Sequence, residues 1–343
     1  MRSRIRGAAL TGMALALAGI GMVGIAPPAS AAATDARTAQ PCDRACLKGY
    51  MARYLEALAA KDPSRLPTSP RTRFTENGVA IPLGEALWYT ITALGSYRSD
   101  YVDTGAGQIA SVVTFVENDK PGIMSVRLRV EDGVLTEIET VLNRNNKNAA
   151  AMLPPDPIWE EIEPASSRLS REELARGAEG YMKAVAEDDS RHVRFNEKSC
   201  IRFENSSVMA LAPGDTPPGP TPSNDGTDNW LNIIADTLRI GCGPQIDTGV
   251  YSFITSYNNA RFPVIDEERQ VVFAQFNFRR AGKIQGIDYK GKHYSYFYGM
   301  QFPNENLLGE AFKFRDGGIT RVQGVFLNGN VYKTGTGWDV EKN

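Results

Sequence analysis

Apolar residues recur at helical spacing twice in this chain, and each recurrence is followed by runs that alternate with the period of a half-buried strand. Leu47, Met51, Tyr54, Leu55 and Leu58 fall on one stripe and predict an opening helix. Pro63 disfavours helix at the residue before it and ends this helix near Asp62. A short strand is predicted over 72–76, a turn at Asn77-Gly78, and a second helix over 85–94 closed by Gly95. Three β runs follow, over 108–116, 123–130 and 134–141.

The second half restarts the same order. Ser170 and Glu173 form a capping box that opens a helix carrying Leu174, Tyr181, Met182 and Val185. Between the halves, residues 144–170 hold Asn145-Asn146-Lys147-Asn148, Pro154-Pro155 and Pro164 with no sustained apolar period, and read as a linker. A strand is predicted over 200–204. Residues 213–226 are too rich in proline and glycine for helix or sheet. A helix over 230–238 and strands over 250–256, 271–278 and 293–300 complete the pattern.

The halves share three signposts in the same order: Glu76-Asn77 with Glu204-Asn205, Asp103-Thr104-Gly105 with Asp247-Thr248-Gly249, and Asp132-Gly133 with Asp316-Gly317. Their numbering offset grows from 128 to 144 to 184, so order survives while spacing stretches. Insertions confined to loops do this, because loop length costs little and core pattern does not vary freely. Helices first and hairpins afterwards make the class α+β, since a parallel sheet would need helices between its strands. The expected organisation is one domain over 42–143, the linker over 144–170, and a second domain with insertions over 171–343.

Residues 1–33 belong to neither copy. Arg2, Arg4 and Arg6 precede an apolar run over 8–25, and Ala29-Ser30-Ala31 offers small residues for cleavage, which predicts an export signal and a secreted or periplasmic protein with no membrane contact after its removal. Four cysteines then face an oxidising compartment, and three pairings are open to them. Cys200–Cys242, both in the second half, and Cys42–Cys46, four apart at a helix start, make the favoured set. A metal site is disfavoured because Cys42-x-x-x-Cys46 stands alone in a chain with two histidines. A net charge of −2 with interspersed signs gives no basic face for nucleic acid.

Helix, short helix, strand, helix and a curved meander ending on a strand-Asp-Gly-strand hairpin resembles the NTF2-like superfamily, which includes SnoaL-like cyclases and ketosteroid isomerase. The segments over 73–78, 82–88, 261–269 and 310–317 look like those of secreted tandem NTF2-like proteins of unassigned function. The resemblance implies two cones in one chain, joined as an intramolecular pseudo-dimer, each with an apolar pocket where a few inward polar groups carry any chemistry. The isomerase member sets a tyrosine of the first helix against a carboxylate of the first strand. Here Tyr54 precedes Glu76 by 22 residues and Tyr181 precedes Glu204 by 23, although the repeat register sets Tyr181 opposite Leu55.

The expected function is therefore cofactor-free acid–base chemistry, of the lyase, isomerase or hydrolase kind, on a small organic molecule in the second cone. The alternative is a non-catalytic binding or dimerisation module. Glu204, His293 and Tyr181 are the candidate catalytic residues, and Asp247, Tyr296 and Trp230 the candidate substrate contacts. On the predicted strand His293 and Tyr296 face opposite ways, so only one of them can look into the pocket. Asp266-Glu267-Glu268 reads as a solvated turn, and Trp88 and Trp230 as core anchors on equivalent helix faces.

Overall fold

The computed structural model describes residues 42–339. The export signal expected over 1–33 lies outside them. Two helices set the frame. Helix α1, Arg44–Ala59, starts where the Asp43 carboxylate accepts from Cys46 N, and it buries Leu47, Met51, Tyr54, Leu55 and Leu58. Helix α3, Arg171–Glu187, starts on a complete Ser170/Glu173 capping box and ends at Asp188 in the left-handed conformation. Aligning the two N-caps sets Tyr181 against Tyr54, and so replaces the register that had opposed it to Leu55.

Each helix lies in its own six-stranded sheet. The first sheet contains β1 (Thr68–Glu76), β2 (Val79–Ala80), β3 (Ile91–Asp103), β4 (Gln108–Glu117), β5 (Lys120–Glu131) and β6 (Val134–Asn143). The second contains β7 (Ile201–Glu204), β8 (Ser207–Leu211), β9 (Ser256–Asp266), β10 (Val271–Arg280), β13 (Asn304–Arg315) and β14 (Gly318–Val331). Spatial orders are β2-β1-β6-β5-β4-β3 and β8-β7-β14-β13-β10-β9, so the two topologies are identical. In each, one parallel pair closes an otherwise antiparallel meander: β1 with β6, and β7 with β14. This is a tandem pair of α+β cones with the same strand order.

Several local expectations are corrected. The stretch over 85–94 is only a single helical turn, α2 (Leu87–Thr90), before β3 begins. Gly95 closes no helix. It lies at a register shift of β3, where a Cβ would come within 2.1 Å of Thr114 Oγ1. Asp103 ends β3, and its counterpart is Asp266 at the end of β9. Asp247-Thr248-Gly249 instead follows α5 (Cys242–Ile246) and is not equivalent to Asp103-Thr104-Gly105. Residues 250–255 are turn and coil, not strand. The 144–170 segment is more than a spacer: Ile158 and Trp159 are buried in it.

Both disulfides, Cys42–Cys46 and Cys200–Cys242, are present. The second copy's gains are a proline-rich loop leading to α4 (Leu231–Thr237), helix α5, and a two-stranded hairpin of β11 (Gly286–Tyr289) and β12 (Lys292–Ser295). These gains join each other: Ser295 N donates to Asp228 O at 2.8 Å, and Trp230 N to Ser295 O at 3.3 Å. Buried Asn232 of α4 holds the loop by donating to Thr227 O and the Asp225 carboxylate.

Candidate active site

The inner face of the second cone encloses a cavity of about 580 Å³. Trp230, Phe253, Phe278, Phe297 and Leu308 supply apolar walls, and Asn146 and Asn148 of the interdomain segment reach its edge. Asn146 is fixed by donating to Asn205 O, and Asn148 by donating to Ser207 Oγ at 2.9 Å. Strand alternation decides which polar groups enter. Arg202 and Glu204 share the inward face of β7; Leu308, Glu310 and Phe312 share that of β13; Phe278 and Arg280 share that of β10.

Register then sets two carboxyl groups in one row. Glu204 is opposite Gly324, and Gly324 is opposite Glu310. The missing side chain matters here, because a Cβ on Gly324 would approach Glu310 Oε1 to 2.9 Å. Arg202, fully buried, donates to Glu204 Oε1 at 2.5 Å and to the Tyr251 hydroxyl at 2.6 Å. Its guanidinium lies over the Tyr251 ring at 4.8 Å and the Tyr181 ring at 5.8 Å. Glu310 is buried, and among the described residues its Oε2 has no hydrogen-bond partner. Burial, reinforced by the Glu204 charge and opposed by Arg202, pushes the Glu310 carboxyl up to about 8. Burial also raises the Tyr181 and Tyr251 phenols, so both remain hydrogen-bond donors at neutral pH.

The first cone lacks this row. Glu76 is opposite Thr140, and Thr140 is opposite Val126, so a hydroxyl stands in place of Gly324 and an isopropyl group in place of Glu310. Phe74 takes the place of Arg202. Glu76 itself is occupied, accepting from Leu87 N at 3.1 Å and Arg144 at 2.6 Å. Tyr54 is fully buried and packs edge-on against Trp88.

Of the six residues expected at the site, Glu204, Tyr181 and Trp230 line the cavity. His293 does not. It belongs to the β11–β12 hairpin, a separate two-stranded sheet, and its exposed ring bonds Asp288 at 2.8 Å. Asp247 caps the turn after α3, accepting from Ser190 N and Oγ at 2.7 and 2.8 Å. Tyr296 is buried beside the cavity wall with its hydroxyl on Ser252 Oγ at 2.7 Å. Arg202, Tyr251, Arg280 and Glu310 were missed. Period two carried a signal for two of them: Glu310 falls between Leu308 and Phe312, and Arg202 shares a face with Glu204.

Residues 167–326, which span most of the second cone, match a family described as a domain of unknown function (DUF8021). No curated protein matches the sequence. Among solved structures, wild-type IdmH of Streptomyces antibioticus, a candidate polyketide cyclase, is similar at 18% identity with a TM-score of 0.23; the match covers 28% of this chain and 91% of IdmH. A loop-truncation variant of IdmH is similar at 19% identity, with the same coverage and TM-score.

Proposed function

We propose that the second cone is an acid–base site acting on a small, largely apolar molecule, in an exported protein that works as a monomer. The observation that carries the reading is the Glu204–Gly324–Glu310 row. Two carboxyl groups are held in one apolar cavity in unlike surroundings, one ion-paired to Arg202 and the other desolvated and proton-bearing. Glu310 is then the proton donor and Glu204 the acceptor. Tyr181 and Tyr251 are phenols that can donate to an oxygen gaining charge. The two disulfides support export into an oxidising compartment. The first cone, with Glu76 engaged by Leu87 N and Arg144, serves as a scaffold.

Proton transfer at carbon is read directly by isotope exchange. A panel of aryl 1,3-dicarbonyl compounds in D₂O, followed by proton NMR, should show enzyme-dependent loss of the acidic C–H signal. Glu310→Gln and Glu204→Gln should each slow that exchange by about 10²–10⁴-fold, while Glu76→Gln leaves it within about twofold. Exchange that is equal in all four proteins would remove the assignment.

A further inference from the structure

Arg280 is the last residue of β10 and is 3% exposed, yet among the described residues it has no carboxylate within ion-pair distance. The other buried or nearly buried arginines of this sheet are neutralised: Arg202 by Glu204, Arg279 by Glu305 at 2.8 Å and Arg321 by Asp156 at 2.8 Å. Arg280 has only neutral partners. Nη1 reaches Asn304 Oδ1 at 3.3 Å and Nη2 reaches Asn328 Oδ1 at 3.5 Å, both long. Its Nε is buried and has no partner among the described residues. The guanidinium lies over the Phe253 ring at 5.1 Å, which fixes its plane but supplies no charge.

A buried cation without a counter-ion is costly, and a protein interior normally neutralises it. Here burial depresses the guanidinium to about 10, against a smaller upward pull from Glu204. Arg280 lines the cavity, and so does Asn306, whose buried Oδ1 also has no partner. Among the described residues nothing on the protein side of this wall completes the pair.

We infer that the missing counter-ion is the ligand's own, and that the second cone takes an aromatic or ring-bearing monocarboxylate whose carboxylate lies against Arg280. The planar guanidinium fork suits a carboxylate bidentately. A single positive charge matches a monoanion, whereas a phosphate dianion would leave one charge unpaired in an apolar cavity. The ring system falls between Trp230, Phe253 and Phe297. This rests on the acid–base reading for the ligand's other end, where the reacting carbon would face Glu204 and Glu310, but the anion site is testable without it.

The probes are 2-naphthoate and its neutral isostere 2-naphthamide, titrated by calorimetry at pH 7 against the full mature chain. Wild type should bind the acid at least about tenfold more tightly than the amide. Arg280→Gln should abolish the difference by weakening the acid alone. Arg280→Met should do the same and should also raise the melting temperature, because it removes an unpaired buried charge, so loss of binding cannot be ascribed to unfolding. Equal affinities in wild type, no binding of either probe up to millimolar concentration, or a preference that survives in Arg280→Met would each overturn the inference. The two readings fail separately. Arg280-dependent binding without isotope exchange would leave the anion site and sink the acid–base role; isotope exchange by a wild type that binds the acid and the amide equally would do the reverse.

Discussion

At the scale of single residues, Glu310 and Gly324 distinguish the second cone from the first, which has Val126 and Thr140 at those positions. An apolar face of β13 that contained only Leu308 and Phe312 would be ordinary core. One carboxyl inserted between them, over a glycine that leaves room for it, makes this face the candidate site. Desolvation that raises Glu310 to about 8 from the ordinary 4.5 also has a stability consequence. Between those values the folded state holds a proton that the unfolded chain has released. Stability is therefore undiminished below pH 4.5 and falls as pH rises through the window to about 8, by on the order of 5 kcal/mol in all. Thermal melts at pH 5 and pH 8 should show the wild type losing stability between them, and Glu310→Gln losing much less. Parallel losses in the two proteins would mean that Glu310 ionises freely in the fold.

At the scale of elements, the Cys200–Cys242 bond and the two insertions decide where the site's side chains stand. Cys200 immediately precedes β7, which carries Arg202 and Glu204, and Cys242 opens α5, whose Gln245 donates to Met209 O at 2.7 Å. Reduction opens a 42-residue loop, for which chain entropy gives about 3–4 kcal/mol. Reduced protein, and a Cys200→Ser/Cys242→Ser variant, should melt several degrees lower than the oxidised wild type. An unchanged melting temperature in the double variant would refute that role. The helices α1 and α3 and the meander strands were legible in the sequence because stripes and alternation record burial directly. The Asp132-Gly133 and Asp316-Gly317 turns were legible because each asparagine-like left-handed step needs such residues. The region over 85–95 was not legible, since its Gly95 answers to Thr114 on a neighbouring strand and not to a local helix end. His293 misled for a related reason: alternation tells which side of a strand a residue takes, but not that β11 and β12 form a sheet of their own. Arg280 closes its strand, where neighbouring positions offer little alternation to reveal an inward charge.

At the scale of the whole molecule, the two cones meet through the outer faces of their sheets, and the contacts are reciprocal. Arg44, the first residue of α1, pairs with Asp266 at the end of β9 at 2.8 Å; Arg171, the first residue of α3, pairs with Asp103 at the end of β3. Glu139 of β6 accepts from Arg261 of β9 at 2.6 Å, and its counterpart Gln323 of β14 accepts from Tyr97 and Tyr101 of β3 at 2.8 and 2.9 Å. Such exchange between equivalent positions is the signature of a two-fold interface, here inside one chain. Between the pairs lies a shared apolar layer that includes Tyr101, Val112, Phe273 and Val325. Trp338 adds a strap: it donates to Thr75 Oγ1 at 2.8 Å and stacks under Arg73 and Arg127 of the first cone. Close approach depends on Gly309, where a Cβ would stand 2.2 Å from Ser125 Oγ across the interface. Because the faces that could pair between molecules are used within one, sedimentation should report a monomer. Because the layer is continuous, the mature wild type should unfold in a single calorimetric transition. Gly309→Val should force the sheets apart and split it, the second cone melting first because it must also accommodate the valine against Phe273, 2.9 Å from the same Cβ. A variant that still melts in one transition at the wild-type temperature would show that the cones are not held together through this face.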